Sequence, residues 1–389
     1  MLKKVVYAGA TAASFQQAER DLQQEAEVTV SAQRIMRATK RIGCERVAER
    51  QAAVAQWREL PLPAQQQSPH AHVPTLAVVQ IDGGRIQIRE RNQAASEKEP
   101  ARGFWRETKV ATLLRMHSAT SATDPCPQLP ESFANIARMA QLSREIKGFS
   151  AAASETMDAS EEAQAARPGR PKILARNVVA MRGEASAFGA QVATTAWESG
   201  FAAAPRKALV ADGQAANWTI WRDYFSHYTP ILDFVHAVCY VFNAAAAGRP
   251  LDEVASIYRR WAQWVWSGQV SRVIAELQTR QQELGPPNED DADTHPRAVV
   301  AGTLRYLQNQ QDRMQYDAYR RQGLPITSAY IESTIKQINR RVKGSEKFWS
   351  EFGAEALLQL AADHLSDRAP LDRFWRERPN HHTGFRRYR

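Results

Sequence analysis

Two short apolar runs, each ending in Asp-Gly, constrain this chain more than anything else in it. TLAVVQIDGG spans 75–84 and KALVADG spans 207–213. Both are nearly continuous in apolar residues, the pattern of a strand buried on both faces of a sheet. A Gly just after such a strand lets another backbone or a ligand come close. RIQIRE, which follows Gly83-Gly84, alternates apolar and polar residues. Two such runs around a Gly-Gly pair predict a β-hairpin with its turn at 83–84. FWRETKVATLLRM, residues 104–116, can supply a third strand.

Helical patterns surround these strands. Residues 15–58 are rich in Ala, Gln, Glu and Arg without Pro, and Ser31 suits a helix N-cap. Ile35, Met36, Ala38 and Ile42 would face inward, with Arg34, Arg37, Lys40 and Arg41 outward. That arrangement fits the recognition helix of a helix-turn-helix unit, and equally a solvated basic helix in a helical hairpin. Residues 61–74 read as a linker, 131–146 as helix, and 150–172 as a loosely ordered stretch ending in the AT-hook-like RPGRPK. A helix is expected over roughly 176–199, then the second Asp-Gly strand, a helix at WTIWRDYF and a short strand at PILDFVH. From 239 to 322 the pattern is helical throughout, interrupted by GPPNEDDADTHP. Its Tyr258, Trp261, Trp264 and Trp266 read mainly as helix core, the alternative for a Trp being to stack on an extruded base. The expected units are a helical head (1–60), a strand-containing core (61–238), a helical block (239–322), closing helices (323–367) and a basic tail (368–389).

The 389 residues carry 51 Lys and Arg against 42 Asp and Glu, a formal charge of +9. This excess implies a polyanionic partner. No run of 18 apolar residues exists, so no membrane span is expected, and the start of the chain reads as mature protein. Cys44, Cys126 and Cys239 have neither zinc-site nor CxxC spacing. Reduced, buried thiols in a cytoplasmic protein are the expectation.

Magnesium takes oxygen ligands in octahedral geometry, usually a few carboxylates plus waters and phosphates. Two such ions can clamp an in-line phosphoryl displacement. Asp82 and Asp212, each at a strand end before Gly, suit that task. A third carboxylate, Glu332, lies in ITSAYIESTIKQINRRVKG. On a helix Ile331, Ile335, Ile338 and Val342 form one stripe at about −60° to −120° from Glu332. Lys336, Arg340 and Lys343 fall at about +40°, +80° and +20°, on the carboxylate's own side. A metal-holding acid beside phosphate-holding cations suits nucleic-acid strand chemistry. A surface helix with an i,i+4 Glu332–Lys336 pair gives the same pattern.

In order, VVQIDGGRIQIRE, ALVADGQAANW, ILDFVHAV and PITSAYIESTIKQINRRVKGSEKFW resemble the successive blocks of ISKra-type bacterial insertion-sequence transposases, members of the DDE group. The resemblance covers roughly 20–367. It implies an α/β fold: an RNase H-like mixed sheet with flanking helices, an inserted all-helical domain and a helical N-terminal DNA-binding region. It also implies a catalytic, metal-binding triad of Asp82, Asp212 and Glu332, with two magnesium ions for which manganese can substitute. Intervals of 130 and 120 residues separate the three acids; the second is too long for a bare core and implies the insertion. Asp233 and His236 match an Asp-x-x-His element and become auxiliary candidates, either orienting a phosphate or holding a strand–helix junction. Lys336, Arg340, Arg341 and Lys343, with Arg34, Arg37, Lys40 and Arg41, are the expected DNA contacts. The implied partner is double-stranded DNA, both terminal repeats and target, bound by a homo-oligomer at the nucleoid. A nuclease that cleaves without joining and a catalytically inactive, transposase-derived DNA-binding protein are the alternatives.

Overall fold

The computed structural model describes residues 1–69, 73–89, 105–146, 170–344 and 346–381. Three helices open the chain: α1 (Leu2–Thr11), α2 (Phe15–Ala26) and the long α3 (Ala32–Glu59). Ser14 caps α2 by accepting from the Gln17 amide at 3.0 Å. The short α4 (Leu62–Gln65) leads into β1 (Leu76–Ile88) and β2 (Trp105–His117), and α5 (Glu131–Ala134) and α6 (Ile136–Ile146) follow. Then come β3 (Lys172–Met181), α7 (Ala185–Glu198), β4 (Arg206–Ala211), α8 (Ala215–Tyr224) and β5 (Thr229–Leu232). The helical block comprises α9 (Phe234–Ala246), α10 (Leu251–Trp266), α11 (Val270–Leu284), α12 (Pro296–Gln310) and α13 (Tyr316–Arg321). The last elements are α14 (Ala329–Val342), the two-residue β6 (Phe348–Trp349), α15 (Glu351–His364) and α16 (Pro370–His381).

The six strands form one mixed sheet of order β3-β2-β1-β4-β5, with β6 also pairing β1. β1–β2 and β2–β3 are antiparallel, whereas β1–β4, β4–β5 and β1–β6 are parallel. Alternate side chains go to opposite faces, as a pleated strand requires. Val178 and Ala180 of β3 join Ile86, Ile88 and Val110 under α14 and α15. Val179 and Met181 instead join Ile81, Ala111 and the α7 residues Phe188 and Val192. The sheet is therefore covered by helices on both faces, as the near-continuous apolar runs demand.

Two expectations about these strands are corrected. Gly83-Gly84 is no hairpin turn: β1 runs straight through it, pairing Gly83 with Lys109 and Gly84 with Thr108. Neither glycine takes a positive φ. Gly84 is instead where α14 crosses the strand, since a Cβ there would stand 3.0 Å from Thr108 Oγ1 and 4.0 Å from Ile335. Residues 176–181, expected to be helical, belong to strand β3, and the helix begins only at Ala185. The β-branched pair Val178-Val179 suits a strand, and pairing with β2 decides the matter.

The head packs onto the body through α3. Arg46 donates to Asp363 at 2.8 Å, and Arg50 reaches Gln359 Oε1 at 2.9 Å and Glu355 at 2.8 Å. In the helical block, Tyr258, Trp261 and Trp266 are fully buried, as core residues, with Trp266 Nε1 donating to the Cys126 carbonyl at 2.7 Å. Half-buried Trp264 has the guanidinium groups of Arg260 and Arg272 over its ring, at 5.4 Å and 4.1 Å from the centroid. Of the cysteines only Cys239 is buried; Cys44 is exposed, against expectation, because it falls on the outward side of α3. No helix among the described residues is long and apolar enough to cross a membrane.

Gly43 measures how closely α3 and α15 approach. A Cβ built there would stand 2.5 Å from the Ala356 carbonyl oxygen and 2.6 Å from its Cβ. On a free helix face Gly→Ala would stabilise by about 1 kcal/mol through helix propensity. Here overpacking dominates, so Gly43→Ala should destabilise by about 1–3 kcal/mol in urea unfolding. A gain in stability would mean that the two helices are not in contact.

Candidate metal centre

Of three parallel strands, β4 and β5 end level with Ile81 in the middle of β1. Ile81 of β1 pairs Ala211 of β4, and Ala211 pairs Leu232 of β5. The next residues along each strand are Asp82, Asp212 and Asp233. Three aspartates thus form a row across the sheet, at strand spacings of about 4.8 Å. β4 has ended there and β6 joins β1 only from Gln87, so this edge of β1 is open beside Asp82. α14 lies across the gap.

Each aspartate is held differently. Among the described residues Asp82 accepts only from the amide of Gly83, at 2.6 Å. Asp212 accepts through Oδ1 from the Gln214 amide at 3.1 Å and Asn217 Nδ2 at 2.8 Å, which turns the chain into α8. Asp233 is fully buried. Its Oδ1 accepts from the amides of Val235 and His236, capping α9. Its Oδ2 accepts from the Ser328 amide at 2.7 Å and from the Ser328 hydroxyl. Four donors use all four lone-pair sites of that carboxylate.

Glu332 is brought to the row by the start of α14. Ser328, at its N-cap, is tied to Asp233. The fully buried Gln80 of β1 accepts at Oε1 from the Ile331 amide at 3.1 Å and donates from Nε2 to the Thr327 carbonyl at 3.0 Å. One residue on, the Glu332 carboxylate forms no hydrogen bond or ion pair among the described residues, so the i,i+4 pair with Lys336 is absent. Ligand atoms of Asp233, His236 and Glu332 all lie within 4.8 Å of one another. We nevertheless regard Asp233 as the anchor of this cluster, because its lone pairs are already engaged. The open carboxylates are Asp82, Asp212 and Glu332.

The electrostatics separate the two kinds of acid. Burial raises Asp82 from its usual 3.8 to about 6, with Asp212 and Asp233 adding to the effect against His236. Burial, Asp233 and Asp82 raise Glu332 to about 7, against His236 and Lys336. Asp233 is also buried, yet its bonds to His236 and Ser328 hold it below the usual carboxylate range. Burial works against a charge on His236, but Asp233, Asp212 and Asp82 lift its pKa to about 9. Its Nδ1 stands 3.8 Å from Asp233 Oδ1, beyond hydrogen-bond reach, and is buried without a partner. Half-buried all-oxygen carboxylates short of counter-charge suit a hard divalent cation. Reading the sequence placed Asp233 and His236 only as auxiliaries; the Asp-x-x-His spacing was their one local signal.

The cationic candidates divide. Lys336, Arg340 and Lys343 are exposed along α14, and Lys343 Nζ lies 5.8 Å from the Trp105 ring. Arg341 is corrected: it is buried, donates to the Gly9 carbonyl at 2.9 Å and 3.1 Å, and lies over the rings of Phe15 and Trp349. On the helical wheel it is about 180° from Glu332, on the side that docks on the head. Arg34, Arg37 and Arg41 are exposed along α3, whereas Lys40 is half-buried with its tip against Gly353. Of the AT-hook-like segment, residues 167–169 lie outside the described residues, and Arg170 contacts Tyr330. The tail beyond 381 also lies outside them.

No protein-family model matches the chain, and no curated protein shows significant similarity to it.

The contrast between Asp82 and Asp233 predicts substitutions of opposite sign. A carboxyl raised by folding contributes stability that is present below about pH 4 and lost as pH rises through about 6. In metal-free buffer Asp82→Asn should therefore stabilise by about 1–3 kcal/mol at pH 7.5, and the difference should vanish near pH 4. Asp233→Asn should destabilise by about 2 kcal/mol or more, because an amide cannot accept from all four donors. Chemical denaturation at the two pH values tests both; effects of the same sign would refute the division of roles.

Proposed function

We propose that this chain is a DDE-type transposase with an RNase H-like catalytic domain, acting on double-stranded DNA. The observation that carries this reading is the row of Asp82, Asp212 and Asp233 across three parallel strands, faced by Glu332 from α14. The sheet order, antiparallel through β3-β2-β1 and parallel through β1-β4-β5, supports the RNase H-like part. The run of helices α9–α13 between β5 and α14 supports the reading of a helical insertion over 239–322.

Asp82, Asp212 and Glu332 are the carboxylates that would hold two magnesium ions. Bound there, the cations would activate the attacking oxygen and neutralise the leaving one in an in-line displacement. Asp233 and Gln80 keep Glu332 in place through Ser328, Thr327 and Ile331. The imidazolium of His236 offsets part of the carboxylate charge. Lys336, Arg340 and Lys343 hold phosphates along the exposed side of α14 and so position the strand. In the first step water attacks the phosphorus, the P–O3′ bond breaks, and a 3′-hydroxyl and a 5′-phosphate result. In the second that hydroxyl attacks a target phosphodiester, forming one P–O bond as another breaks. Phosphodiester bonds are conserved in this second step, so no nucleotide cofactor is needed.

The test uses duplexes copied from the DNA on either side of the gene, with magnesium or manganese. Wild-type protein should nick these duplexes and join their ends to a plasmid. Asp82→Asn should reduce nicking by several orders of magnitude while binding the same duplexes as well as wild type, since an amide is a poor ligand for a hard cation. If wild type binds but never cuts, the chain is a DNA-binding protein without catalysis. If it cuts but never joins, the nuclease reading holds.

The cations make a separate prediction. Replacing Lys336, Arg340 or Lys343 by Ala should weaken DNA binding for all sequences alike and lower the salt slope by about one. Arg341→Ala should instead destabilise the fold and leave the slope of the remaining folded protein unchanged. A salt titration of binding by anisotropy separates the two outcomes.

A further inference from the structure

The helical block returns to the metal centre at Tyr306 of α12. Its ring lies across Gly213, the residue after Asp212: a Cβ built there would stand 2.2 Å from Tyr306 Cε2 and 2.9 Å from its hydroxyl oxygen. The ring also stacks on Tyr240 of α9, centroids 3.8 Å apart and planes 10° from parallel. One turn further on, Gln310 Nε2 donates to the Gly213 carbonyl at 3.2 Å. A stack, a glycine and a hydrogen bond thus fix this phenol against the Asp212 turn.

Its hydroxyl has no work within the chain. The oxygen is buried and meets at most the Gly213 amide as a weak donor, and among the described residues nothing accepts the phenol's own proton. Asp212 and Asp233 lie near enough to act on it electrostatically. Neither accepts from it: Asp212 Oδ1 serves Gln214 and Asn217, and Asp233 is saturated. Burial and the neighbouring acids keep the proton on the phenol, so the group is a donor at every working pH. A buried donor left unsatisfied costs about 1–3 kcal/mol. One held rigidly beside a carboxylate of a metal centre is aimed at an acceptor that arrives from outside. In a phosphoryl-transfer site that acceptor is anionic oxygen, and fixed donors act best where charge develops.

We propose that Tyr306 is a catalytic residue that donates a hydrogen bond to a non-bridging oxygen of the phosphodiester bound beside Asp212. This rests on the DNA-cleavage reading above. Tyr306→Phe keeps the ring, the stack and the cover over Gly213, and removes only the donor. Single-turnover cleavage of the flank-derived duplexes should fall about 100-fold, as for loss of one oxyanion donor. Manganese affinity, followed by water-proton relaxation, should not change.

Duplexes carrying one Rp or Sp phosphorothioate at the cleaved position give a readout that a packing defect would not move. Sulfur at the oxygen facing Tyr306 should slow wild type beyond the other diastereomer, and that excess should disappear in Tyr306→Phe. The proposal is overturned if the variant cuts at the wild-type rate, if the two proteins respond alike to both diastereomers, or if manganese affinity falls together with the rate. Wild type that cuts nothing overturns both this assignment and the cleavage reading. Wild type that cuts beside an unaltered variant overturns the Tyr306 assignment alone.

Discussion

The buried carboxylate of Asp233 is the interaction on which the arrangement of this molecule depends. It ends β5, caps α9 and, through Ser328, fixes the start of α14. These elements lie far apart in the chain, 95 residues separating Asp233 from Ser328. A carboxylate taken out of water without compensation is unfavourable by several kcal/mol. Four donors on its two oxygens supply that compensation. Gln80, buried two residues before Asp82, provides the second clamp on the same helix. With both in place, Glu332 has nowhere to go but against the aspartate row.

The same neighbourhood treats its other acids oppositely. Asp82 and Glu332 are desolvated yet receive almost no donors, so folding raises them to about 6 and about 7. One acid is satisfied so that it can act as scaffold; two are left wanting positive charge. That is the usual signature of a site whose stability has been traded for function. His236 offsets the deficit in part, and Lys336 reaches Glu332 only as a distant charge. Between the end of β4 and the start of β6, one edge of β1 has no strand partner at Asp82.

The outer layers follow a simpler logic. α3 and α15 meet at Gly43, and buried guanidinium groups of Arg46 and Arg50 find carboxylate or amide oxygens on α15. Arg341 ties α14 to α1 and to the rings of Phe15 and Trp349. Guanidinium groups thus join the head to the body, with planar forks that bond several oxygens at once. A basic composition by itself overstates how many of these cations face solvent.

Much of the site was legible in sequence because local patterns carry it. An apolar run before Asp-Gly marks a buried strand carrying an acid; Asp212 follows the last residue of β4, whereas Asp82 sits inside β1, which continues to Ile88. The apolar stripe of α14 is real, Ile331, Ile338 and Val342 all being buried. Local patterns failed where two structures share one signature. Gly83-Gly84 between two strand-like runs looks the same as a hairpin turn, and only pairing with β2 and the crossing of α14 make it mid-strand. Residues 176–181 likewise became strand through contact with β2. Nothing near Arg341 announces Gly9, Phe15 or Trp349, and nothing near Tyr306 announces Gly213. Periodicity and residue chemistry determined which side chains can do what, because those are properties of short segments. Which groups meet, which are buried and which acid keeps its lone pairs free were decided by tertiary structure, since each depends on partners about 95 to 330 residues away.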